Sequence, residues 1–356
     1  MISQVITPKM IDIMDTKSFI SDKTANNIYD YEMFGQQVVE SCLELETKND
    51  FKRLMSTFET ILYDCDGLLN LLSAEDIDDG VRQEIVTEIR QVLQKLQKLG
   101  KQVIYTTNTS QLTRDQMHDR LKSAAIETQL DQLFPTSYVC AVYLKAIGFD
   151  RQVVAVGSDA TVHELTEMGI QCTDLPTHCT PNRKQLGFAS FKLNPDVGAV
   201  IIANDQYIPL PTLVKACAYA SKSDCLTIVT NSDMSDSLIA DNCCHKPDIR
   251  VVANKGFVSL AKPHYFYWKC IQQKHRDLNV DQCLIITDGL DRDIEFGCNV
   301  NIRTLFVKSN TNCLKTTTTT TDQLFYDKLN NNNNTNNCLP VPDYYVDSYS
   351  TFNNYI

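Results

Sequence analysis

Residues 57–70 read TFETILYDCDGLLN, a short apolar run followed at once by two aspartates that are one residue apart. The run Thr60–Tyr63 is typical of a buried strand, and Asp64 and Asp66 follow at its end. If strand alternation continues through the pair, both carboxylates point to one side and Cys65 to the other. Gly67 permits a sharp turn directly afterwards. Two carboxylates on one side need a cation or a shared proton, so the pair predicts either a polar surface turn or a functional site.

The same pattern of an apolar run followed by polar residues recurs along the chain. A helical stretch at 84–99 ends at Gly100, and the strand at 102–105 leads into a polar loop. Further β-branched runs end in small polar or acidic residues within 151–159, 197–205, 224–233 and 281–289. This alternation predicts an α/β fold with a parallel sheet and helices on both faces. In such sheets ligands bind beyond the carboxyl ends of the strands.

Length and composition narrow the possible functions. A chain of 356 residues suggests roughly two domains, and 43% hydrophobic residues with 22% charged residues permit a sizeable packed core. The formal net charge is −11, and no run of lysines and arginines stands out. Nucleic acid and anionic membrane surfaces are therefore not expected as partners. A phosphate ligand would need positive charge supplied locally at its site.

The sequence also favours a cytoplasmic location. No apolar stretch approaches the about 18 residues that a membrane span requires. The start, MISQVITPKMIDIMD, has neither a basic segment followed by an apolar one nor an arginine-rich bias. The 14 cysteines show no repeated pair framework, so we expect reduced thiols.

Three segments differ from the alternating pattern. Residues 1–41 are weakly patterned and predict a loose amino-terminal extension, whereas residues 42–59 have helical spacing. The tracts Thr316–Thr321 and Asn330–Asn334 predict a low-complexity insertion at about 311–338 that does not pack. Residues 341–352, with valines and aromatics at strand-like spacing, predict a return to ordered structure.

Chemically useful side chains follow several of the predicted strands. Thr107 and Asn108 begin the polar loop after the second strand, where a hydroxyl and backbone N–H groups can hold a phosphoryl oxygen. Lys262 lies far downstream in LAKPH, and LIITDGLDRD places Asp288 and Asp293 directly after another apolar strand. A carboxylate pair, a hydroxyl, a lysine and further carboxylates are the parts that Mg²⁺-dependent phosphoryl transfer requires.

With these motifs in this order, the chain resembles the haloacid dehalogenase-like hydrolase superfamily. Within it, the chain is similar to the eukaryotic phosphoglycolate, 4-nitrophenyl and pyridoxal phosphate phosphatases that carry a large α/β cap. The resemblance covers about residues 42–310 and 341–350. The motifs that carry it are ILYDCDGLL, YTTNTSQLTR, TSYVCAVYLK, VVAVGSDATVHEL, NPDVGAVIIAND, CLTIVTNSD, AKP, TDGLDRDIEFGCN and VPDYYVDS.

The resemblance implies a fold, a reaction and an assembly. It implies a Rossmann-like core from residues 42–136 and 256–356, with an α/β cap inserted at 137–255. The implied activity is Mg²⁺-dependent hydrolysis of small phosphomonoesters, such as phosphoglycolate, glycerol phosphate, pyridoxal phosphate or 4-nitrophenyl phosphate. A homodimer formed through the cap is implied as well.

The resemblance also assigns roles to individual residues. Asp64 would be the nucleophile that forms an aspartyl-phosphate, and Asp66 would protonate the leaving oxygen and then activate water. Thr107, Asn108 and Lys262 would bind and neutralise the phosphoryl oxygens.

The implied metal site uses oxygen ligands. Asp64, the backbone carbonyl of Asp66, and Asp288 would hold Mg²⁺. Asp293 would be a supporting carboxylate beside the metal.

Several positions depart from the family pattern. Asn70–Leu72 replaces the aromatic residue and glycine of the usual flap, and Thr109 replaces an asparagine. Thr287 and Ala261 stand where glycines usually precede the metal aspartate and the lysine, and residues 237–260 lack the usual glycine-rich helix. These departures motivate an alternative: a catalytically impaired family member that binds a phosphate ligand or a protein.

Other candidate residues receive simpler interpretations. Lys255 competes with Lys262 as the family lysine, but Lys262 is preferred because a proline follows it and its spacing to the aspartates fits. Cys243–His245 predicts a loop with incidental thiols, because adjacent cysteines suit a shared zinc ion poorly. Asn231 and Asp233 predict turn or cap residues, although contact with substrate stays open. His264 predicts an exposed residue at the start of a helix.

Overall fold

The computed structural model describes residues 42–173, 193–203, 210–230, 257–308 and 341–356. These residues divide into two compact units. The core unit contains, among the described residues, 42–107, 115–134, 262–308 and 341–356. The inserted unit contains 108–114, 135–173, 193–203, 210–230 and 257–261. The predicted amino-terminal extension and Thr/Asn-rich insertion lie outside the described residues.

The described residues contain eleven strands and ten α-helices. The strands are β1 (Leu43–Glu44), β2 (Thr60–Asp64), β3 (Gln102–Thr107), β4 (Leu133–Pro135), β5 (Gln152–Val156), β6 (Val197–Ile202), β7 (Leu226–Val229), β8 (Val258–Ser259), β9 (Cys283–Thr287), β10 (Arg303–Val307) and β11 (Tyr344–Val346). The helices are α1 (Lys48–Thr57), α2 (Asp66–Ser73), α3 (Asp79–Lys98), α4 (Arg114–Ser123), α5 (Thr136–Ala146), α6 (Asp159–Glu167), α7 (Leu210–Ala220), α8 (Tyr265–Lys274), α9 (Arg292–Val300) and α10 (Tyr349–Tyr355).

The core unit is built on a seven-stranded sheet in the order β1-β11-β10-β9-β2-β3-β4. Strand β2 lies between β9 and β3 and pairs in parallel with both. Its five residues are all buried, as a central strand covered on two faces requires. The carboxyl ends of β2, β3 and β9 therefore meet at one edge of the sheet, which is where the predicted site residues lie.

The inserted unit contains a second, four-stranded sheet in the order β5-β6-β7-β8, and its described pairs are parallel. Its hydrophobic core includes Val154, Val200 and Ile202 from the sheet, with Ala216 and Tyr219 from α7. The predicted α/β class with parallel strands is confirmed.

The amino-terminal part of the core unit corrects one prediction. The helix expected across 42–59 extends only over Lys48–Thr57. Thr47 caps the start of α1. Its side chain accepts from the Asp50 N–H, and the Asp50 carboxylate accepts from the Thr47 N–H. Upstream, Leu43–Glu44 forms β1 and pairs in parallel with β11, so this part of the sequence is strand and not helix.

The carboxyl-terminal segment after the low-complexity region completes the core sheet. Strand β11 lies between β1 and β10, and α10 follows it. On α10, Phe352 is fully buried and its ring lies 5.1 Å from that of Phe51 on α1. Residues 341–352 are thus ordered, as a strand followed by a helix.

None of the helices in the described ranges combines the length and the apolar composition needed to cross a membrane.

Candidate active site

Asp64 is the last residue of β2, and the sheet buries it. Its main chain pairs with Thr106 on the neighbouring strand, and the residue is only 4% exposed. One carboxylate oxygen, Oδ1, accepts from the Asp66 N–H at 3.2 Å. The central strand therefore delivers a carboxylate to the carboxyl edge of the sheet in a fixed orientation.

Asp66 lies near Asp64 for a different reason from the predicted strand alternation. The strand ends at Asp64, Cys65 is the helix cap, and Asp66 is the first residue of α2. A carboxylate in the first turn of a helix interacts favourably with the helix dipole. The Thr107 hydroxyl donates a short hydrogen bond to Asp66 Oδ1. Asp66 is thus oriented by a helix start and by the end of β3.

Lys262 is the positive centre of the cluster. Its side chain is 0% exposed, and its Nζ atom lies 2.6 Å from Asp64 Oδ1 and 2.8 Å from Asp293 Oδ1. Asp66 Oδ2 is 3.8 Å from the same atom. A fully buried lysine is tolerated only with such partners. One ammonium group therefore joins three of the predicted carboxylates.

Asp288, the residue after β9, lies against Gly67, which is the second residue of α2 and not part of the predicted sharp turn. A Cβ atom added to Gly67 would come within 2.8 Å of Asp288 Oδ1. Real Cβ atoms do not approach other atoms that closely, so any other residue at this position requires the Asp288 carboxylate to shift. The close approach places the buried Asp288 carboxylate beside the start of α2.

The charges of the cluster do not balance. Burial raises the pKa of Asp64 well above its ordinary value of 3.8, and Asp293, Asp66 and Asp288 raise it further while Lys262 lowers it. Burial lowers the pKa of Lys262, but the carboxylates of Asp293, Asp64 and Asp66 outweigh burial and raise it well above 10.5. Three carboxylates near one lysine, with Asp288 acting on Asp64 as well, leave an excess of negative charge, which a bound cation would relieve.

The end of β3 is held by a residue that the sequence did not reveal. Thr107 is fully buried, and its N–H donates to the Tyr267 hydroxyl at 3.0 Å. The Tyr267 hydroxyl in turn donates to the Phe134 carbonyl oxygen on β4. Tyr267 is itself fully buried on α8, and burial raises its pKa. The only sequence signal was a run of four aromatic residues, 265–268, shortly after Lys262.

Arg292 is a second residue that sequence reasoning missed. It is the first residue of α9, its side chain is 30% exposed, and its Nη2 atom lies 4.0 Å from Asp66 Oδ2. It adds a partly solvated positive charge near Asp66 Oδ2. The available signal was its place between two aspartates in LDRD.

Asn108 follows Thr107 directly in the chain and is buried. It belongs to the inserted unit, together with residues 109–114. Its role in binding a phosphoryl group therefore stays a prediction.

The departures from the family pattern have local structural consequences. Asn70–Leu72 continues α2, where Leu71 is buried, so this stretch is helical in the structure. The Thr287 hydroxyl lies 3.3 Å from Asp64 Oδ2 and accepts from the Gly289 N–H at 2.9 Å. The hydroxyl that replaces the family glycine thus contacts the predicted nucleophile.

The remaining predictions are resolved only in part. His264 caps the start of α8, as predicted, but it is half-buried and not exposed. Lys255, Asn231, Asp233 and Cys243–His245 lie outside the described residues.

Two family models match the chain. The model described as haloacid dehalogenase-like hydrolase matches residues 61–171, and the model described as HAD-hydrolase-like matches residues 259–329. Together they account for about half of the chain and contain each of the clustered aspartates, Thr107 and Lys262.

Curated relatives with phosphatase names match most of the chain. Glycerol-3-phosphate phosphatase of Rattus norvegicus is 25% identical over 324 residues, covering 86% of this chain and 93% of the relative. Phosphoglycolate phosphatase 2 of Arabidopsis thaliana is 27% identical, with 74% and 87% covered. The 4-nitrophenylphosphatase of Schizosaccharomyces pombe is 24% identical, with 73% and 86% covered.

Solved structures share the fold. The p-nitrophenyl phosphatase from Archaeoglobus fulgidus is 17% identical and superposes with a TM-score of 0.57, covering 84% of this chain and 99% of that one. The 4-nitrophenylphosphatase from Thermotoga maritima gives a TM-score of 0.56 at 17% identity, with 85% and 98% covered. With its family matches, curated relatives and fold in agreement, the chain belongs to the haloacid dehalogenase-like hydrolases.

Proposed function

We propose that the chain is a Mg²⁺-dependent phosphatase that hydrolyses small phosphomonoesters through an aspartyl-phosphate on Asp64. The observation that carries the proposal is the buried cluster in which Lys262 joins Asp64 and Asp293 at 2.6 and 2.8 Å and Asp66 at 3.8 Å. The glycerol-3-phosphate, phosphoglycolate and 4-nitrophenyl phosphatases among its relatives support small phosphomonoesters as the substrate class.

The first half of the reaction uses both aspartates of the opening motif. A carboxylate oxygen of Asp64 attacks phosphorus, and the bond from phosphorus to the ester oxygen breaks. Asp66, in its protonated form, gives its proton to that oxygen, so the alcohol leaves as a neutral molecule. The phosphoryl group is then bound to Asp64.

The second half returns both residues to their starting state. Asp66, now ionised, removes a proton from a water molecule that attacks phosphorus. The bond between phosphorus and the Asp64 oxygen breaks, inorganic phosphate forms, and Asp66 holds a proton again. Asp66 Oδ1 accepts from the Thr107 hydroxyl, and we propose Oδ2 as the oxygen that handles the proton.

Lys262 supplies local positive charge for the phosphoryl oxygens. This supply is needed because the chain as a whole carries a net charge of −11 and does not attract anions. The Thr107 hydroxyl donates its one proton to Asp66 Oδ1, so direct binding of a phosphoryl oxygen by Thr107 stays a prediction. We propose Asn108, the buried residue after Thr107, as a further donor.

The donor set of the cluster suits Mg²⁺, which prefers oxygen ligands. We propose the Asp64 and Asp288 carboxylates and the Asp66 carbonyl as its ligands, with Asp293 supporting them. Within the described residues no three His, Cys, Asp or Glu side chains are arranged to hold a metal by themselves. The proposed set, with two carboxylates and one carbonyl, does not depend on such a triplet. When bound, Mg²⁺ supplies charge stabilisation for the transferring phosphoryl group.

The proposal is tested by turnover of 4-nitrophenyl phosphate, glycerol 3-phosphate and phosphoglycolate, with Mg²⁺ and with a chelator. We expect wild-type turnover with Mg²⁺, loss of turnover with chelator, and loss in Asp64→Asn. Asp79→Asn is a matched control, because Asp79 lies at the surface, where it pairs with Arg82. Absence of wild-type turnover on all three esters would overturn the proposal and favour the binding-only alternative.

The cytoplasmic location and the homodimer through the cap stay predictions. Sedimentation of the purified chain tests the dimer directly.

A further inference from the structure

The Tyr267 hydroxyl occupies a position between two neighbouring strands at the edge where the site lies. It accepts from the Thr107 N–H on β3 at 3.0 Å and donates to the Phe134 carbonyl oxygen on β4. A further contact of 3.3 Å joins it to the Thr107 carbonyl oxygen. One hydroxyl thus fixes the main chain of Thr107, the last residue of β3.

The ring that carries this hydroxyl is packed in the interior of the core unit. Tyr267 is fully buried, and its ring meets that of Phe296 edge-on, with centroids 5.7 Å apart and planes at 88°. It also lies on the first turn of α8, five residues after Lys262. The element that follows the lysine therefore also holds the end of β3.

Fixing Thr107 has a direct consequence for Asp66. The Thr107 hydroxyl donates to Asp66 Oδ1, so the position of Thr107 sets the orientation of the Asp66 carboxyl group. A displacement of a proton-transferring group by about 1 Å is enough to cost about 10²-fold in rate.

We propose that Tyr267 is a positioning residue for phosphate-ester hydrolysis, acting through Thr107 to hold Asp66 in place for proton transfer to the leaving oxygen. The inference rests on the proposed phosphatase function. In the described part of the chain, Tyr267 forms hydrogen bonds with the main chain of Thr107 and Phe134 and not with the carboxylates. The proposed route passes from its bond with the Thr107 main chain to the bond between the Thr107 hydroxyl and Asp66.

A dependence on the leaving group distinguishes this role from a structural one. An alkyl leaving group such as glycerol needs a proton from Asp66, whereas 4-nitrophenolate is stable enough to leave without one. A loss of folded protein lowers both rates by the same factor. Misplacement of Asp66 lowers the alkyl rate more.

The experiment compares Tyr267→Phe with wild type on glycerol 3-phosphate and 4-nitrophenyl phosphate. We expect kcat/KM for glycerol 3-phosphate to fall about 10- to 100-fold, and that for 4-nitrophenyl phosphate to fall by a clearly smaller factor. The matched control is Tyr105→Phe, which removes another buried tyrosine hydroxyl from β3, one bonded to Gln97. This control should leave the ratio of the two rates unchanged.

A double-mutant cycle with Thr107→Val tests the route of the effect. If Tyr267 acts through Thr107, Tyr267→Phe should have little further effect in the Thr107→Val background. The inference would be overturned if Tyr267→Phe lowered kcat/KM by the same factor for both substrates. It would also be overturned if Tyr105→Phe shifted the ratio of the two rates equally, or if the effects of Tyr267→Phe and Thr107→Val were fully additive.

A binding measurement keeps the test independent of turnover. If the wild type hydrolyses none of the esters, the proposed function fails, and calorimetric titration with inorganic phosphate in the presence of Mg²⁺ decides the role of Tyr267. Weaker phosphate binding by Tyr267→Phe but not by Tyr105→Phe would support a positioning role for the Thr107 end of β3. Equal binding by both variants would overturn it.

Discussion

Replacement of Lys262 by methionine is the perturbation whose consequences the structure defines most fully. Methionine has a similar length and no charge, so it preserves packing while it removes the ammonium group. That group lies 2.6 Å from Asp64, 2.8 Å from Asp293 and 3.8 Å from Asp66, and it is fully buried. Without it, several carboxylates remain in a low-dielectric site with no lysine to offset them.

The expected cost follows from the burial of the partners. Removing one member of a buried ion pair destabilises a protein by about 3–5 kcal/mol, because the remaining charge is left without compensation. We therefore expect Lys262→Met to lower the free energy of unfolding by at least about 3 kcal/mol at neutral pH. Loss of the charge that we propose to bind the phosphoryl oxygens should also lower kcat by about 10²–10³-fold.

The stability loss should depend on pH in a defined direction. Burial and the neighbouring acids raise the pKa of Asp64 above 3.8, and removing Lys262 takes away the group that lowers it. A carboxyl group with a raised pKa binds its proton more tightly in the folded chain, so its contribution to stability decreases as pH rises above the unfolded value. The difference between Lys262→Met and wild type should therefore be smaller at about pH 5 than at about pH 8.

Urea unfolding followed by tryptophan fluorescence measures these differences, because Trp268 is buried in the same unit. The matched control is Lys101→Met. In the wild type, the Lys101 Nζ atom donates to the Met55 and Phe58 carbonyl oxygens at 2.5 and 2.7 Å, at the opposite end of β3. This variant should lose stability by about 1.5–3 kcal/mol but keep its kcat. An unfolding free energy of Lys262→Met within about 1 kcal/mol of wild type would refute the reasoning.

Three further predictions concern single positions. Gly67→Ala should lower kcat at least about tenfold, because the new Cβ displaces the Asp288 carboxylate; steady-state kinetics measure it. Arg292→Gln should change kcat/KM by no more than about fivefold, since a partly exposed pair with Asp66 at 4.0 Å is worth at most about 1 kcal/mol. Phe352→Ala should cost about 3–5 kcal/mol of stability in urea unfolding while the folded fraction keeps its kcat.

Each of these predictions has a control or a contradicting result. Gly80→Ala adds a Cβ only 3.0 Å from Asp78 Oδ1 at an exposed helix start, and it should leave kcat unchanged. A loss beyond about 100-fold in Arg292→Gln would mean that this residue binds the phosphoryl group itself. Unchanged stability of Phe352→Ala would contradict the packing of the carboxyl-terminal helix in the core unit.

The site was predictable because its parts follow strands that end at the same edge. Asp64, Thr107 and Asp288 come directly at or after β2, β3 and β9, and parallel strands bring their carboxyl ends together. Local pattern therefore suffices to select them. The predicted strand alternation through Asp64 and Asp66 was wrong. Apolar periodicity does not reveal that the strand stops at Asp64 and a helix begins at Asp66.

Other features depend on contacts between distant parts of the chain. The two-residue strand β1 exists because Leu43 and Glu44 pair with Tyr344 and Tyr345, about three hundred residues later, and no local pattern encodes that register. The role of Tyr267 depends likewise on which tyrosine of an aromatic run faces β3.

The most direct test of the central claim is detection of a phosphoryl group on Asp64. In Asp66→Asn, 4-nitrophenolate should still leave, but the residue that activates water is missing, so the intermediate should accumulate. Rapid mixing with 4-nitrophenyl phosphate and Mg²⁺, followed by an acid quench and peptide mass spectrometry, should find one phosphoryl group on Asp64. A second variant that also carries Asp64→Asn should show none. Phosphorylation at another residue, or nitrophenolate release in Asp66→Asn without any phosphorylated Asp64, would contradict the account.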